Sequence, residues 1–267
     1  MSRPASTAHP PGRVAFVGAG PGQADLITLR GAQRLAQAAV VLSDALADPA
    51  LRDLAPQARW LHVGKRGYAD STGQQAINAL LVRSAQDVGP DGLVVRLKGG
   101  DPSVFGRLEE ELQAMADAGI ACEVVPGVTA ALAAAATTQR PLTRRGTGRS
   151  VSFATAVTAT RTAAPQQSAS HADTEVYYMA GKQLAALSQQ LLHAGWAGAT
   201  EVCVTSRAGW PDELHSDHTV ATLDRAGLLH AGRPAMVVVG AGARPLQESA
   251  PPSSTQWADT RPTTSNT

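Results

Sequence analysis

The feature that most constrains this chain is an alternation that runs twice. Short apolar, β-branched runs give way to longer stretches of helical periodicity, over the first half and again over the second. Strands are expected near 14–18, 38–43, 59–63, 93–97 and 121–125, with helices near 28–37, 74–87 and 107–118. Alternation of this kind argues for an α/β unit with a mostly parallel sheet. After the turn-rich segment Pro141–Gly148 it restarts, with strands expected near 150–156, 174–179, 201–206, 219–223 and 235–240 and a helix near 182–194. The expected fold class is therefore α/β, as two α/β domains at 13–143 and 144–244. Residues 1–12 and 245–267, rich in Pro, Ser, Thr and Ala, read as disordered tails. Residues 157–172 carry no acid and little periodicity and read as a long loop.

Composition removes several function classes. The chain has 23 Lys+Arg against 22 Asp+Glu, a net charge of +1, which gives no support to a generic nucleic-acid binder. Aromatics at 4% offer few platforms for single-stranded bases. No apolar run approaches the ~20 residues of a membrane span, and the first residues lack the apolar core of a secretory signal. A soluble, cytoplasmic protein without membrane contact is expected. Cys122 and Cys203 lie in strand-like apolar runs and are expected to be buried small hydrophobes. There is no CxxC, and His215 and His218 stand alone as HxxH, so no metal site is expected.

Charge is unevenly spread. No acid lies between Glu123 and Asp173, where Arg140, Arg144, Arg145, Arg149 and Arg161 fall. Arg59–Lys65–Arg66 and Arg96–Lys98–Arg107 form two further basic groupings. They are either solvated surface or a converging site for an anionic small molecule, since arginines pair well with carboxylates.

Three motifs carry chemistry. Val17-Gly18-Ala19-Gly20-Pro21-Gly22 follows a strand, and its glycines permit tight turns and close backbone approach. A dinucleotide site with Asp44 on a ribose is the obvious alternative, but the loop does not read GxGxxG and Pro21 lacks an amide. Arg96-Leu97-Lys98-Gly99-Gly100-Asp101-Pro102 leaves a strand and enters a helix, where ligands of open α/β sheets bind; an ordinary turn is the bland reading. Pro126-Gly127-Val128-Thr129-Ala130-Ala131 ends another strand, and is either a wall against a flat ligand or a turn before a core helix.

In this order and spacing the motifs resemble the tetrapyrrole methylase family. The resemblance runs from about Arg13 to Gly240 and includes VGAGPGQADLITLRGAQRLAQAAVVLSDAL, VGKRG, RLKGGDPSVFGR, VVPGVTAALAAA, PLTRRG, YYMAGK and PAMVVVG. It implies a homodimer of two-domain α/β chains with S-adenosyl-L-methionine (SAM) in the cleft between domains, no metal, and two methylations of uroporphyrinogen III to precorrin-2. Sirohaem, cobalamin and haem d1 all branch from that product. By motif position, Pro21, Gly99, Gly100, Asp101, Val104, Thr129, Ala130, Met179 and Ala208 would contact SAM, with Ala235 and Val237 bordering the adenine. Asp44 matches a proton acceptor and Lys65 a proton donor. Arg66, Arg107, Glu110, Arg144 and Arg145 would meet the carboxylate-rich substrate.

The chain departs from the family's pattern at Ser103, at Leu108-Glu109 in place of two glycines, at Arg144 in place of His, and at Ala156-Val157. Two rival readings follow: a family member acting on a later corrin precursor, or a SAM- or tetrapyrrole-binding protein without turnover.

Overall fold

The computed structural model describes residues 9–63, 73–156 and 171–246. The first sheet holds β1 (Arg13–Gly18), β2 (Val40–Ser43), β3 (Arg59–His62), β4 (Leu93–Lys98) and β5 (Cys122–Val125) in the order β3-β2-β4-β1-β5, every pairing parallel. The three inner strands are covered on both faces, which is why they read as near-continuous apolar runs. Phe16, Leu42 and Val94 face α2 (Gln74–Val88) and α3 (Leu108–Asp117), which contribute Ile77, Leu81 and Met115. Ala15, Val17, Val41 and Val95 face α1 (Leu29–Ala36), which contributes Leu35. Thr28 caps α1 by accepting from the Gly31 amide at 3.1 Å.

The chain thus leaves β1 toward one face of the sheet and leaves the adjacent β4 toward the other. Neighbouring strands whose connections part in this way leave a crevice at their carboxyl ends.

The second sheet holds β6 (Val151–Thr155), β7 (Thr174–Tyr178), β8 (Glu201–Ser206), β9 (Leu214–Thr219) and β10 (Ala235–Gly240) in the order β6-β7-β10-β8-β9. Only β6 and β7 are parallel. One face, with Val202, Val204, Val237 and Val239, packs on α5 (Leu184–His193) and on the 3-10 segment Val220–Ala226. The other face, with Val176, Tyr178, Cys203, Met236 and Val238, packs on Ala131, Ala133 and Ala134. Those alanines belong to α4 (Ala130–Thr137), which follows β5. The small side chains let α4 lie close on the second sheet, and so join the two halves. The last helix, α6 (Gly227–His230), closes the outer layer.

Four expectations are corrected. The ninth strand covers 214–219 rather than 219–223. Val220, Leu223 and Ala226 recur every three residues and form a buried 3-10 stripe, opened by a capping box between Thr219 and Thr222. Cys122 is exposed, because β5 is an edge strand with a half-covered face, whereas Cys203 is buried. Of the basic groups read as surface or ligand-facing, Arg96, Lys98 and Arg140 are buried and paired internally. His218 is not isolated: its Nε2 shares the Ser216 hydroxyl with buried His230, at 2.7 and 2.9 Å. Among the described residues no cluster suits a metal, and no helix is long and apolar enough to cross a membrane.

Candidate active site

The crevice at the ends of β1 and β4 is built from backbone. Ala19 donates to the Lys98 carbonyl at 2.8 Å, and Gly20 and Gly100 exchange hydrogen bonds at 3.3 and 2.9 Å. A Cβ on Gly18 would stand 2.6 Å from the Gly127 Cα, and one on Gly127 would stand 2.4 Å from the Gly100 carbonyl oxygen. The turns after β1, β4 and β5 are therefore in backbone contact, which larger residues would prevent. Gly100 has φ +70°, and a Cβ there would meet nothing nearer than the Val128 carbonyl at 3.9 Å. Bare backbone at Gly100 thus borders open space, a cradle that any side chain would fill.

Asp101 binds these turns together. Its Oδ2 accepts from the Gly127 amide at 2.8 Å and its Oδ1 from the Ser103 amide at 2.7 Å. The carboxylate that the resemblance places against SAM is engaged as a staple between two loops.

The second half closes over this crevice. The Gln23 amide donates to the Gly209 carbonyl at 3.1 Å, and a Cβ on Gly209 would stand 2.2 Å from the Pro21 carbonyl. The hydroxyls of Thr129 and Tyr178 lie 2.8 Å apart. Burial raises the Tyr178 phenol, which keeps it a neutral hydrogen-bonding group. Phe105 and Phe153 flank Tyr178 with ring centroids at 5.0 and 5.7 Å. Val104 and Ala130 pack with Ala208 in the same cluster. Met179 follows directly and is half exposed.

Backbone strain gathers here. Phe105, Arg107, Met179 and Arg207 have φ of 54–57°, and among the described residues only Gln139 is a further non-glycine in that region. Such residues persist where surrounding structure holds them, and they cluster at ligand sites.

Asp44 joins the constellation from the end of β2. Its amide donates to the Leu97 carbonyl at 3.0 Å, and its Oδ1 lies 2.6 Å from Arg96 Nη2. Two residues on, Leu46 abuts Gly99. Arg96 and Lys98 in turn meet the fully buried Glu111. Arg107 and Glu110 form a two-pronged exposed pair at 2.7 and 2.8 Å, and the Arg107 hydrogen bond lowers the Glu110 carboxyl. They stand beside an open cleft of about 620 Å³ lined by Ser103, Phe105, Leu108 and Glu109, a volume ordinary for a small-molecule site. Two of the four family departures, Ser103 and Leu108-Glu109, therefore fall on one surface.

Pro21, Gly99, Gly100, Asp101, Val104, Thr129, Ala130, Ala208 and Asp44 thus lie on loops in contact at the carboxyl end of the first sheet, with Met179 next to Tyr178, although none of them lines the 620 Å³ cleft. Others lie elsewhere. The side chains of Ala235 and Val237 point into the α5 layer, and strand alternation gives Met236 and Val238 to the cleft-side face. Arg144 is bridged to Gly148 and donates to the Arg244 carbonyl, beside Ala241, at the end of the second sheet opposite Tyr178. Arg145 is its exposed neighbour. Lys65, Arg66 and all of the VGKRG motif but Val63 lie outside the described residues, as do Arg161, most of the 157–172 loop and most of both tails. Sequence reasoning missed Phe105, Phe153, Tyr178 and Glu111 as site elements. The last was legible, because Glu111 lies four residues before buried Met115 and so shares its helix face.

Residues 13–224 match the family described as Tetrapyrrole (Corrin/Porphyrin) Methylases. The chain is 45% identical over 237 residues to Siroheme synthase 2 of Yersinia pestis (strain Pestoides F), covering 86% of this chain and 48% of that protein. It spans about half the length of the siroheme synthases that it matches. It is 38% identical over 231 residues to a uroporphyrinogen-III C-methyltransferase of Pseudomonas aeruginosa, covering 86% and 93%. A solved structure of uroporphyrin-III C-methyl transferase from Thermus thermophilus, complexed with S-adenyl homocysteine, matches with TM-score 0.72 and 34% identity, covering 86% of this chain and 97% of that one.

Proposed function

Because this chain belongs to the tetrapyrrole (corrin/porphyrin) methylases, we propose that it is a SAM-dependent C-methyltransferase that methylates uroporphyrinogen III twice, through precorrin-1 to precorrin-2. The observation that carries this reading is the glycine cradle at Gly18, Gly100 and Gly127. Its open face at Gly100 fits a ligand that lies directly on backbone. The substrate named for the Pseudomonas and Thermus relatives supports the choice of tetrapyrrole.

Pro21, Gly99, Gly100, Thr129, Ala130, Val104 and Ala208 would hold the nucleoside and amino-acid parts of SAM, with Asp101 keeping the loops in register. Met179 would stand at the reacting end. Ala235 and Val237 have only backbone to offer. Bound there, SAM supplies an electrophilic methyl on a sulfonium. The chemistry would be transfer of that methyl to a pyrrole carbon, with the thioether leaving and one proton lost from the ring. The protein's part is to hold the carbon roughly 3–3.5 Å from the methyl, to exclude water and to manage that proton. Asp44, anchored beside the glycine loop, is the proposed acceptor near the ring, and Lys65 the donor. Arg107, Glu110, Arg66, Arg144 and Arg145 are the proposed partners of substrate polar groups. The last two would need to be reached from the far end of the second sheet. A cytoplasmic homodimer is part of the same proposal.

The test is an anaerobic incubation with labelled SAM and uroporphyrinogen III, followed by mass analysis. A product with two added methyl groups supports the reading. Turnover only on a later corrin precursor, or SAM binding without transfer to any porphyrinogen, replaces it with one of the two rivals.

A further inference from the structure

A chain of four alternating charges runs from the end of β2 into the layer between the first sheet and α3. Asp44, at the end of β2, meets Arg96 on β4; Arg96 meets Glu111 on α3; Glu111 meets Lys98, also on β4. Three of the four are almost wholly buried, at 3% exposure for Arg96 and Lys98 and 0% for Glu111, whereas the Asp44 side chain is 29% exposed. The chain therefore has one end at the surface, and that end is beside the glycine loop.

Arg96 is held on every nitrogen. Nε donates to Glu111 Oε1 at 2.9 Å, Nη1 to the Leu42 and Leu97 carbonyls at 3.4 and 3.2 Å, and Nη2 lies 2.6 Å from Asp44 Oδ1. A planar guanidinium fixed at so many points cannot turn. Among the described residues Arg96 is the only group bonded to the Asp44 side chain. Glu111 holds the far side of Arg96 while accepting from Lys98 Nζ at 2.5 Å and Gln74 Nε2 at 3.3 Å. Burial draws the Arg96 guanidinium down, and the carboxylates of Asp44 and Glu111 more than restore it, so it stays charged.

Buried ion pairs rarely add net stability, since desolvation offsets their attraction. An apolar filling would suit a sheet interior equally well. What it could not do is fix one oxygen of the partly exposed Asp44 carboxylate at the end of β2.

We infer that Arg96 is a positioning residue that aims the Asp44 carboxylate at the reacting ring, with Glu111 and Lys98 as its buried abutment. This rests on the proposed role of Asp44 in methyl transfer. Arg96 touches neither reactant and acts only through Asp44.

The test is a double-mutant cycle on the full chain, with Asp44→Asn, Arg96→Lys and the pair, read as kcat, KM for uroporphyrinogen III and Kd for SAM by calorimetry. Lysine keeps the charge and loses the fork. Arg96→Lys should lower kcat at least 10-fold, with the SAM Kd changed less than about 3-fold. In the Asp44→Asn background the same change should alter kcat less than 2-fold, because its effect has already been removed. Equal losses of kcat in both backgrounds, or a loss confined to SAM affinity, overturns the inference. Should Arg96→Lys not fold, by circular dichroism and thermal melting, Glu111→Gln loosens the same arginine from behind and must show the same dependence on Asp44. An Asp44→Asn enzyme with unchanged turnover strikes the proposed mechanism itself, and is thereby told apart from a failed cycle in an otherwise Asp44-dependent enzyme.

Discussion

Gly18, Gly100 and Gly127 occupy a space in which three loops touch through backbone alone, so single carbon atoms decide the site. Gly127→Ala places a Cβ 2.4 Å from the Gly100 carbonyl and 2.8 Å from the Gly18 Cα, and neither backbone can yield without opening the cradle. Calorimetry should find SAM affinity at least 10-fold weaker; an unchanged affinity would mean that the ligand lies elsewhere. Asp44→Ala tests the opposite kind of residue, one placed for chemistry rather than shape. Turnover should fall by more than 100-fold while SAM still binds, as followed by label transfer and titration in parallel. Sequence reading found both kinds, because loop glycines and a strand-end acid are visible as motifs. It could not find that Asp101 is engaged at both oxygens by the Gly127 and Ser103 amides. Its partners lie in its own turn and in a strand end distant in sequence.

At the scale of elements, α4 is the joint of the molecule. Its alanines form an apolar helix without a polar face, which the sequence shows plainly, but which sheet it covers does not follow from the pattern. It leaves the first sheet and packs on the second. Ala134, 1% exposed, has no room for a larger side chain, so Ala134→Leu should cost about 1–3 kcal/mol by overpacking, measured by urea denaturation. A neutral result would show the contact to be looser than described. The strands at 14–18, 93–97, 201–206 and 235–240 were readable because buried strands are continuous apolar runs. The polar ninth strand, Leu-His-Ser-Asp-His-Thr, was not readable, because an edge strand exposed along much of its length carries no apolar signature.

At the scale of the whole molecule, the halves are tied at two ends. At the cleft, Thr129 meets Tyr178. At the other end of α4, Arg140 clasps Asp217 on β9 and donates to the Ala243 carbonyl at 3.1 Å. The Arg140 hydrogen bond holds the Asp217 carboxyl below the usual aspartate range. That tie therefore contributes above the unfolded-state value of about 3.9 and is lost as pH falls through the lowered folded-state value. The difference in melting temperature between the parent protein and Asp217→Asn should be largest near neutrality and close toward pH 3. A difference that persists in acid would assign the effect to packing. The two-sheet plan was legible from the repeated alternation and the intervening turn. The arrangement of the sheets was not, because it depends on backbone contacts such as Gly22 with Gly209 that leave no periodic trace. If these contacts enclose a nucleoside between the two sheets, a crystal structure with S-adenosylhomocysteine will show it there. The ligand is expected on the Gly100 backbone, between Thr129 and Ala208, with its sulfur toward Met179; a ligand bound elsewhere, or none at saturating concentration, would rule out a nucleoside site between the sheets.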